Sequence, residues 1–446
     1  DEPVGSSLEA NYKQRLWVFH GNGVSVYSAG CGGLLHQVDG RDIIPQNGLA
    51  LCGGTQSESG LFCKWSENAI ISDQKIYIGQ PKLNRIIVFD SQQLNVAQVI
   101  ATDPQPMKLW LIRSQTEDQI WVLCHGESDA NRKQRETSHS SFTFEDSESG
   151  SREFDWNSPS FEQKRHNKKT VQVVRILPNS RAQNVIHLQP IDGHFDLVYD
   201  LFVPTPSPLQ RHHIHNNRFA YVTHWDERAL IKIDMEQFKY IKTINLAECQ
   251  PINAVFTEFG LLIVQCQTPV THQLNGKSQL VVDEITDTII SYNAHIKSHK
   301  SYLSPNQHFL VNIFHNTSAL SPISTTIIVQ KVTQSGLQFL YDVRTTLTIV
   351  NCDFVWKNGN YDAILASGTA NREDLLYLSL IDGRVELISG IGRPTKGNFR
   401  GMAVSKATNL GAITSLESVF VLDLNSNRVQ CETQQRHEQP ETLVWT

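Results

Sequence analysis

A strand–turn–strand unit recurs along this chain of 446 residues and constrains its fold more than any other feature. The clearest copy is ERALIKIDMEQFKYIKTINL at 227–246, which has two runs of alternating apolar residues around a polar bend. This pattern predicts a β-hairpin with one apolar face. A single hairpin cannot bury that face in water, so the chain must pack its hairpins against one another.

Further segments have the same pattern, and apart from one interruption they recur at about the spacing of propeller blades, roughly 40–60 residues. Close copies lie at 84–102, 170–188, 374–390 and 417–433, and looser copies lie at 22–38, 283–299 and 325–341. Short strand-like runs such as QKIYIG and GLLIVQC precede the hairpins, and long helical stripes are absent. We therefore predict an all-β fold, a β-propeller of four-stranded blades, with eight blades favoured and seven as the alternative.

The domain boundaries follow from the same rhythm. We predict an N-terminal lead-in at 1–15 and a single propeller domain at 16–446. The first hairpin lacks an obvious innermost strand, and the C-terminal ETLVWT is a candidate to supply it and close the ring.

A long polar insert at 126–169 interrupts the repeats and is rich in serine and in both charges. A solvated loop is one interpretation, and a partner-binding insert is the other. In the second case the contacts would come from scattered aromatic residues: Phe142, Phe144, Phe154, Trp156 and Phe161.

The net charge and the hydropathy of the chain limit the classes of partner that we expect. The formal net charge of -6 argues against broad nucleic-acid binding, which requires a basic face. No run of about 18 apolar residues is present, so we predict no membrane span. The acidic start, which has no methionine and no signal-peptide pattern, suggests a mature, processed or excised chain.

The eight cysteines contain no CxxC pair, which makes a zinc ribbon or a thioredoxin-type motif unexpected. Cys249 and Cys266 lie nearly equidistant from a bend at 258–260, so a hairpin would bring them together as a disulfide. That pairing favours an oxidising compartment. Asn316, in the sequon Asn-Thr-Ser, is then a candidate glycosylation site in a loop after the strand HFLVNIF. The pairing of the other cysteines stays open: Cys31, Cys52, Cys63, Cys124, Cys352 and Cys431.

Catalytic and metal-binding motifs are scarce. His213 and His215 alternate as two metal ligands on one strand face would, but they lie in a Pro-rich stretch where solvated histidines are the favoured interpretation. The chain has no G-x-S-x-G, H-E-x-x-H or P-loop motif. Aspartates recur at matching bends, which indicates turn chemistry with backbone N–H groups. These are Asp90, Asp234, Asp382 and Asp423. We predict no catalytic residue and no cofactor.

Most of the chain from about Tyr77 onward carries a resemblance to a known family. The segments that carry it are YIGQPKLNRIIVFDSQQLNVAQVIATDPQPMKLWLIRSQTEDQIWVL, HLQPIDGHFDLVYDLFVPT, DERALIKIDMEQFKYIKTINL, LVVDEITDTIISYN, SYLSPNQHFLV and VFVLDLNSNRVQCETQQ. Together they resemble the C-terminal propeller-like region of the large follistatin-like proteins, the follistatin-related proteins four and five. The resemblance implies a secreted glycoprotein. It implies no calcium site here, because the family's EF-hands are missing from this sequence, and it carries over no catalytic residue.

These observations lead to two functional hypotheses from different classes. The first is a secreted, non-enzymatic β-propeller that acts as an extracellular protein- or glycan-binding or assembly module, with self-association among its options. The alternative is a propeller-type enzyme, a hydrolase or lactonase with a metal in the central channel. The residues around the channel discriminate between them, because the enzyme needs converging carboxylates or histidines from several blades.

Overall fold

The computed structural model describes a defined part of the chain. The described residues are 14–29, 33–53, 62–113, 118–126, 169–176, 185–187, 198–204, 218–224, 227–247, 249–267, 278–318, 321–357, 359–368, 375–391, 401–406, 408–415, 418–434 and 442–446. Within these ranges the chain is almost entirely β, with one 3-10 helix at Pro81–Leu83. No helix in the described ranges is long and apolar enough to cross a membrane.

The strands form eight four-stranded antiparallel sheets and one two-stranded hairpin. In chain order they are β1 (Arg15–His20), β2 (Gly23–Ser28), β3 (Leu34–Asp39), β4 (Ile43–Ile44), β5 (Leu49–Ala50), β6 (Ala69–Ser72), β7 (Lys75–Gln80), β8 (Arg85–Asp90), β9 (Asn95–Ala101), β10 (Pro106–Arg113), β11 (Asp118–Cys124), β12 (Thr170–Ile176), β13 (Val185–His187), β14 (Val198–Phe202), β15 (Phe219–His224), β16 (Ala229–Asp234), β17 (Lys239–Asn245), β18 (Pro251–Phe256), β19 (Leu261–Cys266), β20 (Gln279–Asp283), β21 (Thr288–Asn293), β22 (Lys300–Leu303), β23 (Phe309–Ser318), β24 (Ser321–Thr333), β25 (Gly336–Thr345), β26 (Ile349–Lys357), β27 (Asn360–Gly368), β28 (Leu375–Ser379), β29 (Val385–Ile388), β30 (Met402–Val404), β31 (Leu410–Thr414), β32 (Ser418–Asp423), β33 (Arg428–Gln434) and β34 (Thr442–Trp445).

Each four-stranded sheet is one blade of a β-propeller, and the eight blades confirm the favoured number over seven. From the inside outward, blade 1 is β34-β1-β2-β3, and blades 2 to 8 are β6–β9, β10–β13, β14–β17, β18–β21, β22–β25, β26–β29 and β30–β33. The hairpin β4–β5 lies between blades 1 and 2 in the chain and forms no blade.

The C-terminal strand closes the ring, as the sequence predicts. β34 pairs with β1, with Leu16 opposite Trp445 and Val18 opposite Leu443. The indole N–H of Trp17 also donates a hydrogen bond to Thr446 Oγ1 at 3.1 Å. Closure by a strand from the other end of the chain gives blade 1 the same four strands as the other blades and links the two ends of the ring.

The hydrophobic core is divided among the seams between neighbouring blades. In the seam between blades 1 and 2, the rings of Trp17 and Phe89 lie 5.7 Å apart between centroids. Second and third strands such as β7 and β8 are buried on both faces, whereas outer strands such as β33 alternate between exposed and half-buried residues. The apolar face of each hairpin is therefore covered by the adjacent blade.

The recurring aspartates close the turns between third and fourth strands. Oδ1 of Asp90, Asp234 and Asp283 each accepts two backbone N–H bonds at 2.8–2.9 Å. Asp423 Oδ1 accepts the N–H of Asn425 at 2.9 Å, and Asp382 Oδ1 accepts the N–H of Arg384 at 3.2 Å. The predicted turn role is confirmed.

One predicted hairpin is placed wrongly by the sequence analysis. The looser copy at 283–299 was expected to hold both strands, but the structure pairs β20 with β21, so only the second strand lies inside that segment. The reason is that Asp283 is itself a turn aspartate, so it marks the bend between the two strands and not the start of the first strand.

The predicted disulfide between Cys249 and Cys266 is confirmed. A second disulfide joins Cys52 to Cys63, which the sequence left unassigned. Cys431 is disulfide-bonded as well, to a cysteine outside the described residues. Cys124 and Cys352 are free and buried. These disulfides are typical of an extracellular or periplasmic protein.

Candidate functional site

The innermost strands of the blades surround the propeller axis, and most neighbouring pairs of them, such as β18 and β22, contact each other. Because every sheet is antiparallel, the N-terminal ends of these strands lie on one face of the ring, which we call the upper face. The connections from blade to blade, and those from second to third strands, also lie on the upper face. The turns that hold the recurring aspartates lie on the opposite, lower face.

Four charged residues from four blades lie on innermost strands or just before one, near the upper end of the axis, and we call them the axial cluster: Glu67, Lys108, Asp200 and Lys300. Lys108 Nζ lies 3.0 Å from Asp200 Oδ2 and 3.8 Å from Glu67 Oε2. Glu67 and Lys108 belong to blades 2 and 3, and Asp200 belongs to blade 4. One lysine therefore bridges carboxylates on both of its neighbouring blades.

Bonds between inner strands fix the positions of Glu67 and Lys108. The N–H of Glu67 donates to the carbonyl oxygen of Met107 at 2.9 Å. The side-chain amide of Asn68 donates to the carbonyl of Leu109 at 2.7 Å and accepts its N–H at 3.0 Å. These bonds tie the starts of the two inner strands together, so the two charges are held side by side.

Asp200 is also held by its own surroundings. Its Oδ1 accepts the N–H of Leu201 at 2.8 Å, and its own N–H donates to Thr223 Oγ1 at 3.2 Å. The side chain is 17% exposed, compared with 31% for Lys108. The pair is thus partly shielded from water, which makes its electrostatic attraction stronger than that of a fully exposed pair.

Lys300, at the start of β22 in blade 6, completes the axial cluster from across the axis. Its side chain is exposed, and Nζ lies 5.1 Å from the ring centroid of Tyr302. Burial among the surrounding blades lowers the pKa of Lys300, Glu67 acts to raise it, and Lys108 acts to lower it. These influences come from blades 2 and 3, so the ammonium group lies within electrostatic reach of the opposite side of the channel.

A buried network of amides and hydroxyls holds the strand that carries Lys300. Ser298 Oγ donates to the carbonyl of Lys300 at 2.9 Å, and Ser301 Oγ donates to Asn312 Oδ1 at 2.7 Å. Asn312 in turn accepts a bond from Gln265 at 3.1 Å and donates to Gln330 at 2.8 Å. Because these amides are buried and bonded to one another, they fix the register of β22 against blades 5 and 6.

Aromatic rings lie beside Lys300 on the upper face. The ring of His299 stacks on Phe314 with centroids 4.7 Å apart and on His315 at 5.6 Å. Burial lowers the pKa of both histidines, and His315 lowers that of His299 further. Both imidazoles are therefore neutral at pH 7, and blade 6 presents stacked, uncharged rings beside the axial cluster.

Another acidic residue, Asp353, lies further along the innermost strand β26. Asp353 accepts backbone N–H bonds from Phe354 at 2.9 Å and from Val404 of blade 8 at 3.2 Å. Burial raises its pKa, while Lys406 acts to lower it. This carboxylate already bridges two blades through backbone bonds. Among the described residues, no three His, Cys, Asp or Glu side chains group closely enough to hold a metal ion.

The site residues predicted from the sequence are not part of the axial cluster. The aromatics Phe142, Phe144, Phe154, Trp156 and Phe161 lie outside the described residues, as do His213 and His215. Strand β11 ends and strand β12 begins at the upper face, so the described residues that flank the insert lie there. Strands β14 and β15 meet at the lower face, so the described residues that flank the histidine segment lie there.

Asn316 lies within β23, where its backbone pairs with Ser324 of β24. The sequence placed it in a loop after the strand. The strand continues further because Thr325 and Thr326 extend the pairing towards the tip of the hairpin. Its position remains close to the upper end of blade 6.

Sequence reasoning missed the axial cluster, although a signal was present. Lys108 and Asp200 each interrupt an otherwise apolar run, in MKLWLI and VYDLF. A charge inside such a run is costly to bury without a partner, so each one marks a place where another blade or solvent supplies it. Recognising the partner requires the ring.

Comparison with known proteins identifies the fold without a family. No protein-family model matches the chain. The structure is similar to dihydro-heme d1 dehydrogenase NirN in complex with DHE, with TM-score 0.55 and 10% identity over 96% of this chain and 74% of that one. It is also similar to apo AztD from Citrobacter koseri, with TM-score 0.54 and 12% identity over 97% of both chains. A third likeness, to the β-propeller domain of Myceliophteria thermophila Cps50 (Swd1), has TM-score 0.50 and 11% identity over 80% of this chain and 97% of that one. At these identities the likeness shows a shared propeller fold alone.

Proposed function

We propose that this chain is a secreted, non-enzymatic propeller that binds an extracellular protein or glycan at its upper face, as a module of the type found in the large follistatin-like proteins. The observation that carries the proposal is the axial cluster. Its cations and anions come from separate blades and neutralise one another in part, an arrangement suited to recognising the polar groups of a ligand.

Other features of the upper face support the same proposal. The stacked rings of His299, Phe314 and His315 offer flat apolar surface next to charge, a combination that binding sites use for orientation and contact area. The described residues that flank the long polar insert lie at this face, and so does the tip of the hairpin that carries Asn316. The disulfides and the sequence resemblance support a secreted protein.

The first test concerns the compartment. The chain is fused to a signal peptide and expressed in secretory cells, and the medium is analysed. We expect secreted, monodisperse protein in which no more than two thiols, Cys124 and Cys352, titrate after denaturation without reduction. Retention in the cell or titration of all eight cysteines contradicts the proposal.

The second test concerns the binding face. The purified chain is assayed by surface plasmon resonance against panels of extracellular proteins and glycans, alongside Lys300→Glu and the control Lys331→Glu. Lys331 lies on β24 of the same blade, exposed and far from the axis. We expect at least a tenfold loss of affinity for Lys300→Glu and none for the control. Metal-dependent turnover of ester or lactone substrates would instead establish the enzyme alternative.

A further inference from the structure

The charges of the axial cluster are unevenly matched. Lys108 contacts both carboxylates, Asp200 at 3.0 Å and Glu67 at 3.8 Å. Lys300 has no carboxylate within 4.0 Å among the described residues, and its nearest ring, that of Tyr302, lies 5.1 Å away. The cluster therefore contains a cation whose N–H groups have no acidic partner in the described part of the chain.

The surroundings of Lys300 favour an anion as its missing partner. Its side chain is open to solvent, yet protein around the channel removes enough water to lower its pKa, which Glu67 and Asp200 act to raise and Lys108 acts to lower. An ammonium group in such a place is stabilised by an anion, which supplies the missing counter-charge and accepts its N–H bonds.

The site is also preorganised. Ser298 bonds the carbonyl of Lys300 itself, and Ser301 connects the same strand to the buried amide Asn312. Lys108 is held in place by its bridge to two neighbouring blades. A ligand group that enters the channel would therefore meet two ammonium groups whose backbones are already fixed, which lowers the entropic cost of binding.

We propose that Lys300, together with Lys108, binds an oxyanion group of a ligand, a carboxylate, sulfate or phosphate, at the upper end of the axial channel. The inference deepens the proposed function, on which it rests for its biological meaning, by naming the chemistry of the ligand. The oxyanion comes either from a free ion or from an acidic sugar, since both present the same group to the lysines.

The proposal is tested by competitive acylation. The purified full chain is treated with trace acetic anhydride at pH 7.5, and the rate at each lysine is read by mass spectrometry. Inorganic sulfate, phosphate, glucuronate and a sulfated disaccharide are each added at 5 mM, against sodium chloride of equal ionic strength. We expect at least one oxyanion to slow acylation of Lys300 fivefold or more, with the rate at Lys331 unchanged.

Variants establish whether the two lysines act together. Lys108→Met should abolish the protection of Lys300, Lys108→Arg should retain it, and Lys331→Met should leave it intact. Circular dichroism confirms that each variant is folded, and a thermal shift with the protecting anion, lost in Lys300→Met, gives a second measurement. Equal acylation of Lys300 in every anion and in chloride overturns the proposal.

The outcomes separate the sources and the two proposals. Protection by the sugars at concentrations at least tenfold lower than by inorganic ions assigns the site to an acidic glycan, and equal protection assigns it to a free anion. Because the assay uses purified protein, it does not depend on secretion. If the chain is secreted and binds a partner through Lys300, but no anion protects Lys300 from acylation, the oxyanion inference alone is wrong. If an anion protects Lys300 but the chain is not secreted, the oxyanion inference stands and the proposed function is wrong.

Discussion

Two lysines, Lys232 and Lys300, occupy opposite kinds of environment in the same ring. Lys232 lies in the seam between blades 4 and 5 and is 3% exposed. Its Nζ lies 2.7 Å from Asp287 Oδ1, donates to the carbonyl of Glu284 at 2.8 Å and lies 3.9 Å from the ring centroid of Phe219. Lys300 is exposed at the start of the innermost strand β22 and has no carboxylate within 4.0 Å among the described residues.

The difference teaches how burial decides the role of a charge. A lysine sealed inside a seam must find its counter-charge within the chain, because an unpaired buried ammonium is too costly. A lysine on a water-accessible channel has no such requirement, so it can leave its N–H groups available to a ligand. Lys232 therefore contributes to cohesion between blades, and Lys300 to recognition.

The largest expected effect is a difference in the free energy of unfolding between variants of Lys232 and Lys300. Lys232→Met leaves Asp287 with Lys242 alone as its cation and removes the donor to Glu284. We expect it to lower the free energy of unfolding by about 3–5 kcal/mol. Lys300→Met should lower it by less than about 1 kcal/mol. Urea denaturation followed by fluorescence measures both, and equal losses for the two variants would remove the distinction.

The disulfide in the same seam gives the next largest effect. Cys249 and Cys266 pack with Tyr221 and Leu230, and their bond closes a loop with a sequence separation of 17. We expect the double variant Cys249→Ala/Cys266→Ala to lose about 3 kcal/mol in the free energy of unfolding. The double variant Cys52→Ala/Cys63→Ala, which opens a shorter loop with a separation of 11, serves as the comparison and should lose less. A loss below 1 kcal/mol at Cys249/Cys266 would show that the seam holds without its covalent link.

The seam should also respond to pH through Glu284. Burial raises the pKa of Glu284 to about 7, and neither its Oε1 nor the Tyr221 hydroxyl makes a hydrogen bond of normal geometry. The unfolded chain releases this proton near pH 4.5, so the folded state binds more protons between about pH 4.5 and 7. The stability that the protonated Glu284 side chain contributes is therefore fully present below pH 4.5 and is lost as the pH rises through 7.

Glu284→Gln tests this pH dependence. The amide stays neutral, so the variant should lose the decline in stability between pH 5 and 8, which we expect to be about 2 kcal/mol in the parent protein. Unfolding free energies measured at intervals across that range give both slopes. The same slope in the variant and the parent would place the titration elsewhere.

The smallest expected effect on stability concerns Asp200, which lies in the axial cluster with Lys300. Asp200→Asn keeps an oxygen for the N–H of Leu201 but removes the charge that neutralises Lys108. We expect a change in unfolding free energy below about 1 kcal/mol, because Lys108 is partly exposed. Protection of Lys300 by oxyanions should at the same time increase at least twofold in the acylation assay. A weaker protection would show that Asp200 supports the anion site instead of competing with the ligand.

The sequence by itself determined the repeating parts of this protein. Alternating apolar runs, the turn aspartates and the C-terminal ETLVWT were enough to predict a closed all-β ring. They were sufficient because strand alternation and turn chemistry are local, so each blade repeats the same signal. The Cys249–Cys266 disulfide followed as well, since a hairpin fixes which residues lie opposite each other.

Only the tertiary structure determined the features that occur once in the molecule and are not repeated from blade to blade. Lys108 and Lys300 come from blades 3 and 6, and no spacing rule along the chain relates them. The Cys52–Cys63 disulfide and the position of Asn316 inside β23 likewise depend on how neighbouring segments pair. The physical reason is that residues near the axis meet through closure of the ring, which brings together strands distant in sequence, whereas the blades are built from neighbours.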